Sequence, residues 1–564
     1  MGLRSESMTL NSPPKFTNAI ALVMALGAFA AAFAAAFATL DEYGLTIDEP
    51  INLSHGRNFA IAVFDEKINA ESIAHIWSRG PEHPPLSRFL IGVGQRLVVG
   101  SNRDGVNLRG GRTASAAAYA GIVFLVARHA AALGGLTAGV AGGLAVATLP
   151  RLFAHGHLAS PEVISAFFLL WAWIAAGKAL LIPGTTASFR LPSIIGAGVI
   201  LGFALLTKLT AALVPFTVLI ALLMVRGWRA LPAFALWSLI GGVVFFGCWP
   251  WMWPVDLPGM PAGFAGSFKR YVDYLATAVR RADLYVWYFG RQYRGNLVPW
   301  HFAPLFFVVT TPIPALVAGF LGVAAVWRTG FAAPQRLLIA VAFFGSLAVF
   351  CLPIQRYDGE RLFLFVFPLW CILAGVGAAW LVERVPIGWR VPATVAVALC
   401  LASPAIEIKR THPFELSYYN ALVGGVHGAE QLGLEPTYWG DALTPRLLDK
   451  LSAKAEPNDI AVLAPTLYAG HAGFLTSRGL AVRNIRVLPG DGVLPPGESP
   501  PGNAEAGEEV RWGILFHRTG YLIDPIPSRL LEQGIVEAEE TLDGVWLARV
   551  VRLRPGWRIL RTVR

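Results

Sequence analysis

Residues 191–225 read LPSIIGAGVILGFALLTKLTAALVPFTVLIALLMV, with a single charge, Lys208. A helix crosses a hydrocarbon core of about 30 Å in roughly 20 residues, so this run is too long for one crossing. A lone lysine at the centre of a bilayer is also costly. Both arguments break the run at Lys208 into spans 191–207 and 209–225. Similar apolar runs recur at 17–39, 112–131, 134–150, 160–182, 231–252, 300–327, 337–353, 362–382 and 391–408. The chain of 564 residues therefore reads as a polytopic membrane protein of about eleven transmembrane helices. Composition agrees. Only 15% of residues are charged, against about 25% in soluble proteins, which argues against a disordered chain and a single soluble domain.

Short-loop charges set the expected orientation. With the N-terminus inside, the inner side holds eleven basic residues, from Arg4 and Lys15 to Arg384 and Arg390. The short outer loops hold only Arg151, Lys208, Arg356 and Arg361. The N-terminus is thus expected in the cytoplasm and the C-terminus outside. The first run, 17–39, reads as a retained anchor rather than a cleaved signal. The transmembrane domain, 1–408, carries two long outer segments, 40–111 and 253–299, and chemistry is expected at that outer face.

Residues 409–564 read as a soluble, extracytoplasmic α/β domain. Segments 459–465, 511–518 and 543–553 predict strands, and 443–454 and 526–533 predict helices. The Pro-, Gly- and Glu-rich stretch 489–509 predicts a flexible loop. The tail 549–564 reads either as a terminal strand or as a basic segment lying back on lipid. From residue 412 onward there are 15 basic and 18 acidic residues, so the remainder of the chain carries +13 of the formal net charge of +10. That excess suits anionic headgroups or phosphate ligands before nucleic acid. The four cysteines all lie inside apolar runs and show no disulfide or zinc spacing.

Five polar groups stand out. Asp48-Glu49 follows the first span. Paired carboxylates near a membrane face read as a general base or an anchor, although Asp48 before Pro50 also reads as a helix N-cap. Glu82-His83-Pro84-Pro85 locks a turn before the amphipathic stretch 86–99. Arg151, His155, His157 and Glu162 crowd one short loop, where Glu162 also reads as a charge complementing a helix N-terminus. Lys208, Arg356 and Arg361 stand at outer span ends. Each reads as a snorkelling cation or, taken together, as the partners of a lipid-linked phosphate. The loop 269–301 interleaves aromatics with cations, including Arg280, Arg281, Tyr288, Arg291 and His301. That mixture suits sugar rings and phosphates, and equally an interfacial aromatic belt.

In their order and placement these motifs resemble the GT-C superfamily of membrane glycosyltransferases. The pattern is nearest to the protein O-mannosyltransferases and the bacterial aminoarabinose transferases (family 39/83-like). The carriers are Asp48-Glu49, Glu82-His83-Pro84-Pro85-Leu86, Glu162, the Leu206-Thr207-Lys208 break, Thr311-Pro312-Ile313-Pro314, and Gln355-Arg356-Tyr357 running into Arg361 and Pro368. The resemblance implies a polyprenyl-phosphate sugar donor and transfer to an acceptor hydroxyl with inversion. It implies Asp48 as catalytic base, with Glu49 and Glu162 as further acids. It implies Glu82 and His83 near the donor phosphate, with Lys208 and Arg361 as the basic groups beside it. From their own placement, Arg356 is expected as a further phosphate contact, and Glu82, His155, His157, Tyr288, Arg291 and His301 are expected at the substrate. Glu162 departs from the commoner aspartate, and no β-trefoil insert is evident. His412–Asn420 with Tyr438-Trp439-Gly440 resembles a region of bacterial members without a role attached to it. No cofactor is required. A divalent metal held by Glu82 with His155, His157 or His301 stays open. A secondary transporter and a polysaccharide ligase or polymerase are the alternative readings.

Overall fold

The structure, a computed structural model, describes residues 15–99, 105–181, 190–279, 284–476, 482 and 484–562. Arg4, Arg280 and Arg281 lie outside the described residues. The predicted apolar runs are helical, and the chain is a multi-pass membrane protein. Five helical stretches are long and apolar enough to cross a membrane, among them Leu108–Ala147 and Leu209–Gly247. Leu191–Leu205, Pro334–Val349 and Val366–Val382 are shorter apolar helices.

The predicted break between residues 131 and 134 falls inside the 40-residue stretch Leu108–Ala147, where Gly134 and Gly135 leave helical geometry. Gly135 has φ 76°, a conformation that glycine alone adopts at little cost. The two halves fold back on each other. Gly139, Gly142 and Gly143 face the Cβ atoms of Ala131, Ala130 and Ala127, the small-residue contact that lets membrane helices approach closely.

The segment 300–327 is not the single straight span expected. Helices Phe302–Thr310 and Ile313–Thr329 meet at 118°. Pro312 has no N–H to continue the helix. The carbonyls freed by the break must find other donors. Asn420 supplies them: its side-chain nitrogen donates to Val308 O at 2.7 Å and Thr311 O at 2.8 Å, and its main-chain N–H donates to Val309 O.

The C-terminal part holds a five-stranded sheet in the order Arg486–Pro489, Ile460–Ala464, Trp512–Phe516, Val545–Arg552, Ile535–Leu542. The first three strands are parallel and the last two antiparallel. Ile460–Ala464 and Trp512–Phe516 are buried along their whole length, as strands covered on both faces must be. The stretch 489–509 is not one flexible loop. Its strands Val493–Leu494 and Ala504–Glu509 flank Arg558–Thr562 from the tail, so the tail is a strand.

The long connecting segments meet at one end of the helices. Gly44 N–H donates to Asp441 O at 2.9 Å and Ile47 N–H to Trp439 O at 3.0 Å. A Cβ at Gly44 would stand 2.5 Å from the carbonyl oxygens of Asp441 and Leu443, so only glycine permits this approach. The hairpin Tyr285–Tyr288 with Arg291–Arg294 leans on the C-terminal domain through Gly290 N–H to Gly433 O and Gln292 to Gly520 O.

Candidate functional site

Asp48 stands at the N-cap position of helix Glu49–Phe64, yet its side chain makes no cap hydrogen bond. The carboxylate turns the other way. Its Oδ2 accepts from Arg361 Nη2 and from Trp439 Nε1, the latter at 3.3 Å. Its side chain stays 32% exposed, far more than any group it touches.

Arg361 is the centre of the cluster. Nη2 meets Asp48, Nε donates to Glu162 Oε1 at 2.8 Å, and Nη1 donates to Asp358 Oδ2 at 2.7 Å. The guanidinium lies 4.1 Å from the centre of the Trp439 ring, a cation–π contact in a dry setting. Glu162 opens helix Pro161–Leu180, and its Oε1 also accepts from Lys208 Nζ at 3.1 Å. Lys208 sits at the break that ends helix Leu191–Leu205. Leu206 O in that break accepts from Leu86 N–H at 2.9 Å, which pins the Glu82-His83-Pro84-Pro85 turn beside the lysine.

A cavity of about 590 Å³ opens where these parts meet. Glu82, His83 and Lys208 form its polar end, and Leu209, Leu213, Val349 and Phe350 its apolar wall. Tyr357 and Leu362, on either side of Arg361, also line it. The space is amphiphilic, with the cation of Lys208 among apolar side chains.

The other predicted site residues divide by how their polar atoms are used. Glu49 is fully buried. It accepts from Nε and Nη2 of Arg112, both at 2.8 Å, and from the N–H groups of Thr46 and Ala159. Arg356 is expected at a phosphate, but its guanidinium donates to the carbonyls of Val298, Pro299, Phe350 and Ile354. It is absorbed by the loop that it supports. Glu82 pairs with Arg88 at 2.9 Å. His157 bonds to Thr39 Oγ1 and Phe153 O, both at 2.8 Å, and stacks on Tyr43. His155 is enclosed beside Trp439, and burial pushes its pKa down to about 3, so it stays neutral. Tyr288 O–H pairs with His301 Nδ1 at 2.6 Å, in the hairpin region that carries the exposed Arg291. None of these three lines the cavity. Glu82, His155, His157 and His301 are therefore not brought together, and among the described residues no group of three or more His, Cys, Asp or Glu forms a metal-holding cluster.

Several members of the cluster carry no sequence expectation. Asp358 and Glu360 both precede Arg361 within three residues, and Glu360 pairs with the buried Arg151 at 2.5 Å. Burial raises the Glu360 pKa against the pull of Arg151. Trp439 belongs to a segment noted only for its resemblance. Arg518 comes from the C-terminal domain and pairs with Asp358 Oδ1 at 2.8 Å.

A family model described as dolichyl-phosphate-mannose-protein mannosyltransferase matches residues 82–253, a segment that includes Glu82, His83, Glu162 and Lys208. No curated protein sequence matches the chain. ArnT from Cupriavidus metallidurans in the apo state aligns with a TM-score of 0.50 and 15% identity, over 95% of this chain and 97% of that one. The chain shares the fold of that protein. ArnT bound to undecaprenyl phosphate gives a TM-score of 0.49 at 14% identity, covering 95% and 97% of the two chains. The Archaeoglobus fulgidus oligosaccharyltransferase, in complex with zinc and sulfate, gives 0.49 at 12% identity over 94% of this chain and 72% of that one. The match to apo ArnT covers nearly the whole length of both chains, the C-terminal part included.

Proposed function

We propose that this protein is a glycosyltransferase that moves one sugar from a polyprenyl-phosphate donor to an acceptor hydroxyl at the outer membrane face. The observation that carries this reading is the amphiphilic cavity lined by Lys208, which a chain of three ion pairs, through Glu162 and Arg361, links to the partly open carboxylate of Asp48. The isoprenoid chain lies along Leu209, Leu213, Val349 and Phe350, and the phosphate lies toward Lys208 and His83. The match of residues 82–253 to a mannosyltransferase family supports the same class of donor.

The charges fit such a ligand. Asp48, Glu162 and Asp358 face Lys208, Arg361 and Arg518, so the cluster is balanced before substrate enters. An arriving phosphate competes for Lys208 and Arg361 and loosens their hold on the carboxylates. Asp48 then accepts the proton of the acceptor hydroxyl as that oxygen attacks the anomeric carbon. The bond from the anomeric carbon to the phosphate oxygen breaks, and the electron pair leaves with the phosphate. Lys208 and Arg361 stabilise the charge that develops there. A single displacement inverts the configuration. Glu49 holds the helix that presents Asp48, while Glu162 orients Arg361 and Lys208. No step requires a metal. The N-terminus faces the cytoplasm, eleven helices cross the membrane, and the C-terminal domain lies outside. One broken helix would suit a transporter, but here Asn420 caps the break and the clustered charges stand at one end of the helices.

The test uses membranes carrying wild-type or Asp48→Asn protein, a labelled polyprenyl-phosphate sugar and an extract of native acceptors. Transfer falls about 10²–10⁴-fold in the variant if Asp48 is the base. Undiminished transfer removes Asp48 from that role.

A further inference from the structure

Arg518 is among the largest fully buried side chains of the protein, and it lies in the C-terminal domain, just past strand Trp512–Phe516. Taking a guanidinium out of water is expensive unless its partners are well placed. Its Nη1 donates to Tyr438 O at 2.6 Å. Its Nη2 forms an ion pair with Asp358 Oδ1 at 2.8 Å outside hydrogen-bond geometry, and Nε and Nη2 make no hydrogen bond among the described residues, so the charge of Asp358 is what compensates this guanidinium. The other oxygen of Asp358 takes Arg361 Nη1 at 2.7 Å. One carboxylate thus bridges two buried guanidiniums, one from each domain.

The bridge is held in an unusual backbone. Asp358 has φ 56° and Gly359 has φ 59°. Aspartate is one of the few side chains that tolerate this left-handed region. One oxygen meets Arg361, three residues on, and the other faces Arg518. Tyr438, whose carbonyl holds Arg518, precedes Trp439, whose ring lies under Arg361 and whose indole donates to Asp48. The C-terminal domain therefore touches Arg361 by two routes, the Trp439 ring and the chain Arg518–Asp358.

We propose that Arg518 is a positioning residue: through Asp358 it fixes the orientation of Arg361, and so sets how strongly the cavity prefers a phosphate headgroup. The proposal rests on the donor-site reading above. It gives the C-terminal domain a part in recognising the lipid phosphate, while Arg518 itself does not line the cavity. Removing Arg518 leaves Asp358 with one partner, so the carboxylate and the Arg361 guanidinium that it orients are no longer held in place toward an incoming anion.

The experiment uses the full chain in nanodiscs. Binding of undecaprenyl phosphate and of the uncharged alcohol undecaprenol is measured for wild type, Arg518→Gln, Arg518→Lys and Asp358→Asn. Melting temperature is recorded alongside. Wild type prefers the phosphate. Arg518→Gln and Asp358→Asn lower that preference about tenfold, the lower end of what outer-shell partners are worth around a bound ion, with alcohol binding unchanged. Arg518→Lys keeps the charge but not both contacts, and falls between. A merely structural role would shift melting and weaken both lipids equally, which overturns the proposal. So does an undiminished preference in the folded variants. If Arg518→Gln does not fold, Asp358→Asn decides alone, since asparagine tolerates the same turn. A wild type with no preference for phosphate sinks the donor-site reading itself, a different failure.

Discussion

The cavity end of the first loop and the joint behind it are built from the same materials and used in opposite ways. In the joint, Glu49 and Arg112 are both fully enclosed, and four N–H donors from Arg112, Thr46 and Ala159 saturate the carboxylate. At the cavity end, one residue earlier, Asp48 shares Arg361 with two other acids and stays partly open. A saturated ion pair fixes helix Glu49–Phe64 against helix Leu108–Ala147. An over-subscribed arginine beside an open carboxylate has room to exchange partners. Adjacent acids in sequence thus separate into a structural fastening and a chemically available group.

The comparison breaks most sharply if the joint can be opened without harm. Arg112→Met leaves Glu49 buried and uncompensated, which costs about 3–5 kcal/mol. A large drop in melting temperature is expected, with transfer lost through unfolding. Asp48→Asn is the counterpart: transfer falls about 10²–10⁴-fold while melting changes little, because Arg361 keeps Glu162 and Asp358. Lys208→Met removes the cation that lines the cavity. Affinity for undecaprenyl phosphate drops about 10–100-fold, the range of a charged hydrogen bond, and affinity for undecaprenol holds.

A fourth prediction concerns pH and the other side of the joint. Asp441, whose carbonyl receives Gly44, is fully buried, and burial pushes its carboxyl up to about 6. The folded state therefore keeps this proton to about pH 6, while the unfolded chain loses it near pH 4. Stability from this group is present at low pH and is lost as pH rises through that window. Asp441→Asn removes the dependence, so its stability gains on wild type by about 3 kcal/mol between about pH 4 and 6, and the difference is level above; melting temperature followed against pH reads it. The smallest effect belongs to the hairpin: Arg291→Ala, at an exposed position outside the cavity, changes stability and phosphate binding by less than about 0.5 kcal/mol.

Much of the plan was legible because the membrane imposes length and charge rules on a chain. The break at Lys208, the reversal near residue 134 and the Asp48-Glu49 pair are local signals, and each stands where the sequence points. Partners distant in sequence were not legible. Asp358 lies three residues before Arg361, yet its bridging role depends on Arg518, 160 positions further on. Arg356 and Arg361 look alike as cations at a span end, but main-chain carbonyls claim the first and carboxylates the second. A cation that caps loop carbonyls leaves no trace in side-chain pattern. His155, His157 and Glu162 share one polar loop, and burial divides them into a neutral histidine, a packed histidine and an ion pair. In the tail, the strands within 489–509 are hidden by Pro and Gly because their partner, Arg558–Thr562, is supplied from the end of the chain.

The most direct test of the account is density for undecaprenyl phosphate bound to the purified protein. The phosphate is expected within hydrogen-bond reach of Lys208 and beside Arg361, with the isoprenoid along Leu209, Leu213 and Phe350. A headgroup seated elsewhere, such as the 520 Å³ cavity lined by Pro312, Glu407 and Arg410, would contradict it.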